Sequence, residues 1–298
     1  MSGFATPLSR RLGLTYPIVA APMFLVSNRQ MLLACANAGI LGAMPSLNQR
    51  TSQAFGEDLR WLRERTDKPF AINLTVGLTP PERLEQDVAL CLEHGVQVLI
   101  TSYGDPTAIV QRAHARGTTV MHDVENLRHA KKAQAAGVDA IIAVSQGAGG
   151  HAGTVNPYVL VPWLRRELDV PIVAAGCISG GAQVAAALSL GAELAYIGTR
   201  FIASEECGAA ERYKEMVLAS SHDDVVYTDA VSGVNASFLK ATLPGHRPAD
   251  EGTAGAAKRW KDIWSAGQGV TLVDEVLPIE RIVDGIVKEF HDARARLG

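Results

Sequence analysis

Aromatic residues are scarce in this chain, at 6% of 298 residues. No stretch interleaves them with basic residues as single-strand nucleic-acid binding requires. Charge of one sign is lacking as well. The formal net charge is -3, which gives no basic field for a phosphate backbone, so no nucleic-acid partner is expected. Cysteine is sparse and dispersed. Cys35, Cys91, Cys177 and Cys207 form no CxxC pair, and they fit reduced thiols in a cytoplasmic protein better than a disulfide framework or a zinc site. No apolar run is long enough to span a bilayer. The start, Met1 to Pro7, lacks a charged segment leading into an apolar one. Leu12 to Met23 is interrupted by Gly13, Tyr16 and two prolines. No signal peptide and no membrane association are expected.

Several chemical signatures are missing too. No Gly-x-Ser-x-Gly elbow supports a hydrolase. No lysine ends a candidate strand, as a Schiff-base aldolase would need. No lysine follows Gly176-x-x-x-Gly180, so this is not a Walker A loop. No Gly-x-Gly-x-x-Gly follows the first strand, which argues against a dinucleotide. His122 and His151 lack a third ligand at suitable spacing, so no metal is expected.

What is present is rhythm. The chain is 47% hydrophobic, enough for a large core. Apolar β-rich runs occur at Ile18–Ala21, Ile40–Ala43, Phe70–Leu74, Val98–Thr101, Thr118–His122, Ala140–Val144, Pro171–Ala175 and Leu194–Ile197. Amphipathic helical stretches separate them, several stopped by glycine: Gly39, Gly95, Gly117, Gly137 and Gly191. Eight parallel βα units close a TIM (β/α)8 barrel, with a doubly wound open sheet as the alternative. The rhythm breaks after Phe201. Residues 206–261 read as a small helical insertion or lid, with the barrel formed by 1–205 and 262–298 and closed by a final helix, Ile279 to Arg296.

In such a barrel the chemistry sits at the C-terminal ends of the strands. The first strand ends at Pro22-Met23. The third carries Asn73, a partner for a heterocycle edge or a plain turn residue. The sixth leads into Gln146 and then Gly147-Ala148-Gly149-Gly150-His151-Ala152-Gly153. Four glycines flanking one histidine let a backbone approach a flat ligand beside a group able to transfer protons near neutral pH. Gly176 to Gly181 runs from the seventh strand into a helix, and Gly198-Thr199 follows the eighth. Loops after these two strands form the common phosphate site of barrels. Cys177, inside that turn, reads as packing rather than as a nucleophile.

Taken in order, Pro17–Met23, Ala71–Leu74, Gly149–Gly153, Ala175–Gly181, Ile197–Phe201 and Trp264–Gly269 resemble the nitronate monooxygenase family, formerly called 2-nitropropane dioxygenases. The resemblance implies an FMN-containing barrel that oxidises alkyl nitronates, and in some members nitroalkanes, with O2 to a carbonyl compound and nitrite. It places Pro22 and Met23 at the isoalloxazine, with Asn73 and Gln146 near it. Gly150, Gly176, Gly180, Gly181, Gly198 and Thr199 fall around the ribityl phosphate, and His151 is the catalytic position. Asp123 stands where some relatives carry lysine. Facing the flavin it would oppose the charge added on reduction; facing outward it would cap the helix near Asn126. The implied partners are the nitronate or nitroalkane and O2, in a monomer or a homodimer. An FMN-dependent NAD(P)H:quinone or enoyl-thioester reductase is the nearest alternative, and a flavin-free phosphosugar isomerase or epimerase the more distant one.

Overall fold

The computed structural model describes residues 4–231, 233–245 and 262–296. Its parallel strands are β1 (Ile18–Ala20), β2 (Leu41–Pro45), β3 (Ala71–Thr75), β4 (Val98–Ser102), β5 (Thr119–Val124), β6 (Ala140–Val144), β8 (Ile172–Ala175) and β9 (Leu194–Ile197). They form a closed barrel. The ring closes where β9 pairs with β1, with Val19 opposite Tyr196. Helices run between the strands, so the fold is the expected (β/α)8 barrel.

Side chains on a strand alternate between faces. One set, including Val19, Leu41, Ala43, Ala71, Val98, Ile100, Met121, Ile142, Val173 and Leu194, fills the lumen as a single apolar cluster. The other set, including Ile18, Ile72, Leu99, Val120, Ile141 and Ile172, packs outward against the helices. Both sets are apolar, as expected of strands buried on both faces. Leu8, Leu12 and Leu14 join the lumen cluster. The helix Pro7–Arg11, capped by the Thr6 side chain, therefore plugs the bottom of the barrel.

Two further elements stand over the opposite end. β7 (Gly150–His151) lies in the loop after β6. β10 (Val225–Thr228) and β11 (Ala236–Leu239) form an antiparallel hairpin. β11 pairs with β7, Ala236 opposite His151 and Ser237 opposite Gly150. The segment expected to be helical thus holds the helix Glu211–Ala219 and, in addition, a hairpin that grips the histidine loop. Residues 246–261 of that segment lie outside the described residues. The helix Ile279–Ala295 packs on the helix Gly181–Ser189 and completes the outer layer. Among the described residues, no helix is long and apolar enough to cross a membrane, and no cluster of three or more His, Cys, Asp or Glu side chains could hold a metal ion.

Candidate active site

Above the apolar lumen the inward face becomes polar. Asn73, Ser102 and Asp123 each lie two residues beyond a lumen residue, namely Ala71, Ile100 and Met121, and so share its face. The Asn73 amide donates from Nδ2 to the Ile100 carbonyl at 3.1 Å and to Ser102 Oγ at 2.8 Å. Among the described residues its Oδ1 has no donor, which leaves it able to accept a bond from a ligand. The Ser102 side chain also favours the charged form of the Asp123 carboxyl nearby. Asp123 Oδ1 is buried and has no hydrogen-bond partner. Burial pushes the carboxyl up to about 7, helped by the Glu125 charge and opposed by the Ser102 bond. The outward-capping alternative for Asp123 is therefore ruled out. Asn126 does that work, its side chain accepting from His129 N. His122, of the opposite parity, points away from the lumen. Its Nδ1 lies 2.8 Å from Thr101 Oγ1, and burial lowers its pKa to about 4.

His151 enters from the side. Positive φ angles at Gly147 (83°) and Gly150 (70°) turn the loop, and β11 fixes the histidine backbone. Tyr227 Oη adds a bond to the Ala152 carbonyl at 2.6 Å. The half-buried imidazole meets the Tyr103 ring edge-on, with centroids 5.5 Å apart and planes at 86°. It makes no side-chain hydrogen bond among the described residues. Burial lowers its pKa from the ordinary histidine value, so the ring is neutral at pH 7 and has a lone pair to offer. Tyr103 itself has φ +53°. Burial, with Glu125 and Asp123 nearby, holds its phenol proton on. Nothing in the sequence flagged Tyr103, because a left-handed non-glycine residue carries no compositional mark.

The phosphate-type turn divides into two parts. Gly176 (φ 111°) and Cys177 (φ 57°) curl the chain after β8. The backbone N–H groups of Cys177, Ile178 and Ser179 have no acceptor among the described residues. Neither do those of Thr199 and Arg200, at the start of the helix Thr199–Ile202. Free N–H groups at such turns are able to form an anion nest. Gly198 brings Met23 in: a Cβ there would lie 3.8 Å from Met23 Sδ and from Ala21 Cβ.

Gly180 and Gly181 do not contribute donors. Gly180 N donates to Gln183 Oε1 at 2.9 Å and Gly181 N to Glu289 Oε2 at 2.7 Å. A Cβ on Gly181 would overlap the Ile286 carbonyl oxygen and the Phe290 nitrogen. These glycines seat the C-terminal helix, which corrects their expected role in phosphate binding. Gly181→Ala is accordingly expected to lower stability by about 1–3 kcal/mol or more, measured as the urea midpoint. An unchanged midpoint would mean that this glycine does not seat the C-terminal helix.

The place of one segment in the site was missed by sequence reasoning. Gln268 N donates to the Gly147 carbonyl, and Gly267 N to Thr199 Oγ1, each at 2.9 Å. A Cβ on Gly267 would sit 2.6 Å from Gly147 O and 2.8 Å from Gly149 N. Ala266 to Gln268 thus staples the histidine loop to the anion nest. The signal was present in Trp264–Gly269, but contact across the fold is not readable from spacing. Gln146, expected as a polar contact, is held through its backbone, its N–H on the Val155 carbonyl at 2.8 Å. Its side chain is exposed. Gln268 is the amide beside Cys177, its Oε1 3.8 Å from the Cys177 sulfur.

The mouth therefore combines an N–H nest for an anion, close glycine backbones for a flat group, a free amide acceptor and a neutral imidazole. A family model described as nitronate monooxygenase matches residues 76–254, more than half of the chain. The nitronate monooxygenase of Paraburkholderia phytofirmans is 31% identical over 74% of this chain and 73% of its own. FabK from Thermotoga maritima superposes with a TM-score of 0.88 at 30% identity, covering 99% of both chains. The nitroalkane oxidase from Streptomyces ansochromogenes gives a TM-score of 0.84 at 26% identity, covering 97% of this chain and 100% of that one. By sequence and by fold, the chain belongs to the nitronate monooxygenase family of flavin-dependent oxidoreductases.

Proposed function

We propose that the chain is an FMN-dependent nitronate monooxygenase of the cytoplasm, oxidising alkyl nitronates and nitroalkanes with O2 to carbonyl compounds and nitrite. The observation that carries this reading is the neutral, unbonded His151 ring set beside a mouth that has a nest for one phosphate. The unpaired N–H groups of Cys177, Ile178, Ser179, Thr199 and Arg200 fit a single anionic group. The lumen rim offers Asn73 Oδ1 to a heterocycle. Pro22 and Met23 border that space from β1, and Gly150, Gly176 and Gly198 keep it open. FMN, when bound, supplies the electron transfer between substrate and oxygen.

The remaining work falls to the chain. His151 takes the α-proton of a neutral nitroalkane on its free ring nitrogen, or donates to the nitro oxygens of a nitronate once protonated. Tyr103 holds the imidazole plane by its edge contact. The hairpin β10–β11 fixes the histidine backbone. Denaturing the purified protein and weighing the released cofactor tests the flavin assignment. FMN is expected, whereas FAD, or no flavin after reconstitution with FMN, would overturn it.

The acid limb of the pH profile follows from the base. A neutral imidazole is required, and burial lowers the His151 pKa beneath the ordinary range near 6.5. kcat/KM on a neutral nitroalkane is therefore expected to stay level through pH 7 and to fall only below that range. His151→Asn should erase this limb. A limb that persists in the variant would assign it to another group.

A further inference from the structure

Among the described residues, Asp123 is the one side chain of the inner face whose polar atom is buried without a partner. Its strand parity, shared with the lumen residue Met121, points it into the barrel mouth. The Ser102 side chain lies near the carboxyl, and its hydroxyl is held by Asn73 Nδ2 at 2.8 Å. Among the described residues no cation pairs with it. The groups around it are Glu125 at the end of its own segment, Tyr103 after β4 and Tyr196 on β9. Both phenols keep their protons, raised by burial and by the Asp123 charge. A carboxylate here would face anionic or neutral neighbours only, with one oxygen unsolvated. A neutral acid relieves the repulsion and turns the orphan oxygen into a donor.

We propose that Asp123 tunes the cofactor as a neutral carboxylic acid, its carboxyl group donating a hydrogen bond to an acceptor atom on the ring edge of the bound flavin. This rests on the flavin reading above. It goes beyond that reading because it makes the cofactor's reduction potential depend on the charge of one side chain. Below the carboxyl's value of about 7, the donor supports the negative charge that reduction adds. Above it, the carboxylate opposes that charge, and reduction draws a proton from solvent onto Asp123.

The test measures the reduction potential of the FMN-loaded protein from about pH 5 to about pH 9, a window that spans the carboxyl's transition, for wild type and Asp123→Asn. Asparagine keeps a donor at every pH. The two potentials are expected to coincide at the acid end, with the wild type falling more steeply above neutrality. Parallel lines across the whole range would overturn the proposal. Failure of both proteins to take up FMN would instead overturn the flavin reading. A second arm needs no cofactor. The folded carboxyl binds its proton more tightly than the unfolded one, so its contribution to stability is complete below the unfolded value near 3.9 and is lost as pH rises to about 7. In the apoprotein, urea midpoints of wild type should decline over that window relative to Asp123→Asn. Equal pH dependence would show that Asp123 is ionised and solvated. If Asp123→Asn does not fold, Asp123→Ser serves for both comparisons.

Discussion

His151→Asn is expected to cost on the order of 10²–10⁴ in rate on a neutral nitroalkane, the usual loss when a general base is removed. On the corresponding preformed nitronate it should retain much of its rate. Deprotonation and oxidation are separate steps, and only the first needs a proton acceptor. The imidazole makes no side-chain bond among the described residues, so its removal strands no partner. Its backbone is fixed by β11 through Ala236, so the loop should keep its place. Asparagine still presents N–H groups to the nitro oxygens. Steady-state rates on both substrates at equal flavin occupancy separate the roles. Equal losses would make His151 a positioning residue; no loss would take it out of the mechanism.

Gly267→Ala is expected to strip the cofactor from an otherwise folded barrel. The added methyl would lie 2.6 Å from the Gly147 carbonyl oxygen and 2.8 Å from Gly149 N. Both atoms are backbone and cannot rotate away. Either the histidine loop or the segment around Gly267 must move, and the second carries the bond to Thr199 Oγ1. Overpacking of this kind costs about 1–3 kcal/mol. Where the cost falls on the binding-competent arrangement, FMN affinity drops by roughly 5- to 150-fold. Flavin fluorescence titration of the apoprotein measures it, with circular dichroism reporting on the barrel. Wild-type affinity in the variant would mean that this glycine contact does not support the nest.

The barrel was legible because strands buried on both faces read as nearly unbroken apolar runs. That same property hid the orientation of Asp123. With Ile, Val and Ala on both faces of the strands, nothing in the sequence says which parity meets the lumen. The hairpin was illegible for the opposite reason. Val225 to Thr228 is partly exposed, and β7 is only the two residues Gly150–His151, too short for any alternation to register. Gly180 and Gly181 misled because a strand–glycine–helix junction looks alike whether it cradles a phosphate or seats another helix. The deciding partner, Glu289, lies 108 residues further on. The glycine loop that holds His151 was legible since its setting is local, whereas the contacts of Tyr103 and Gly267 are ones that spacing does not encode.

The most direct test of the proposed function is anaerobic mixing of the FMN-loaded protein with an alkyl nitronate, and separately with NADH or NADPH, while the visible flavin band is followed. Bleaching by the nitronate, with nitrite formed when O2 is admitted, and none by either nicotinamide, is the expected result. Bleaching by NADH or NADPH with an inert nitronate would contradict it and assign the barrel to a reductase.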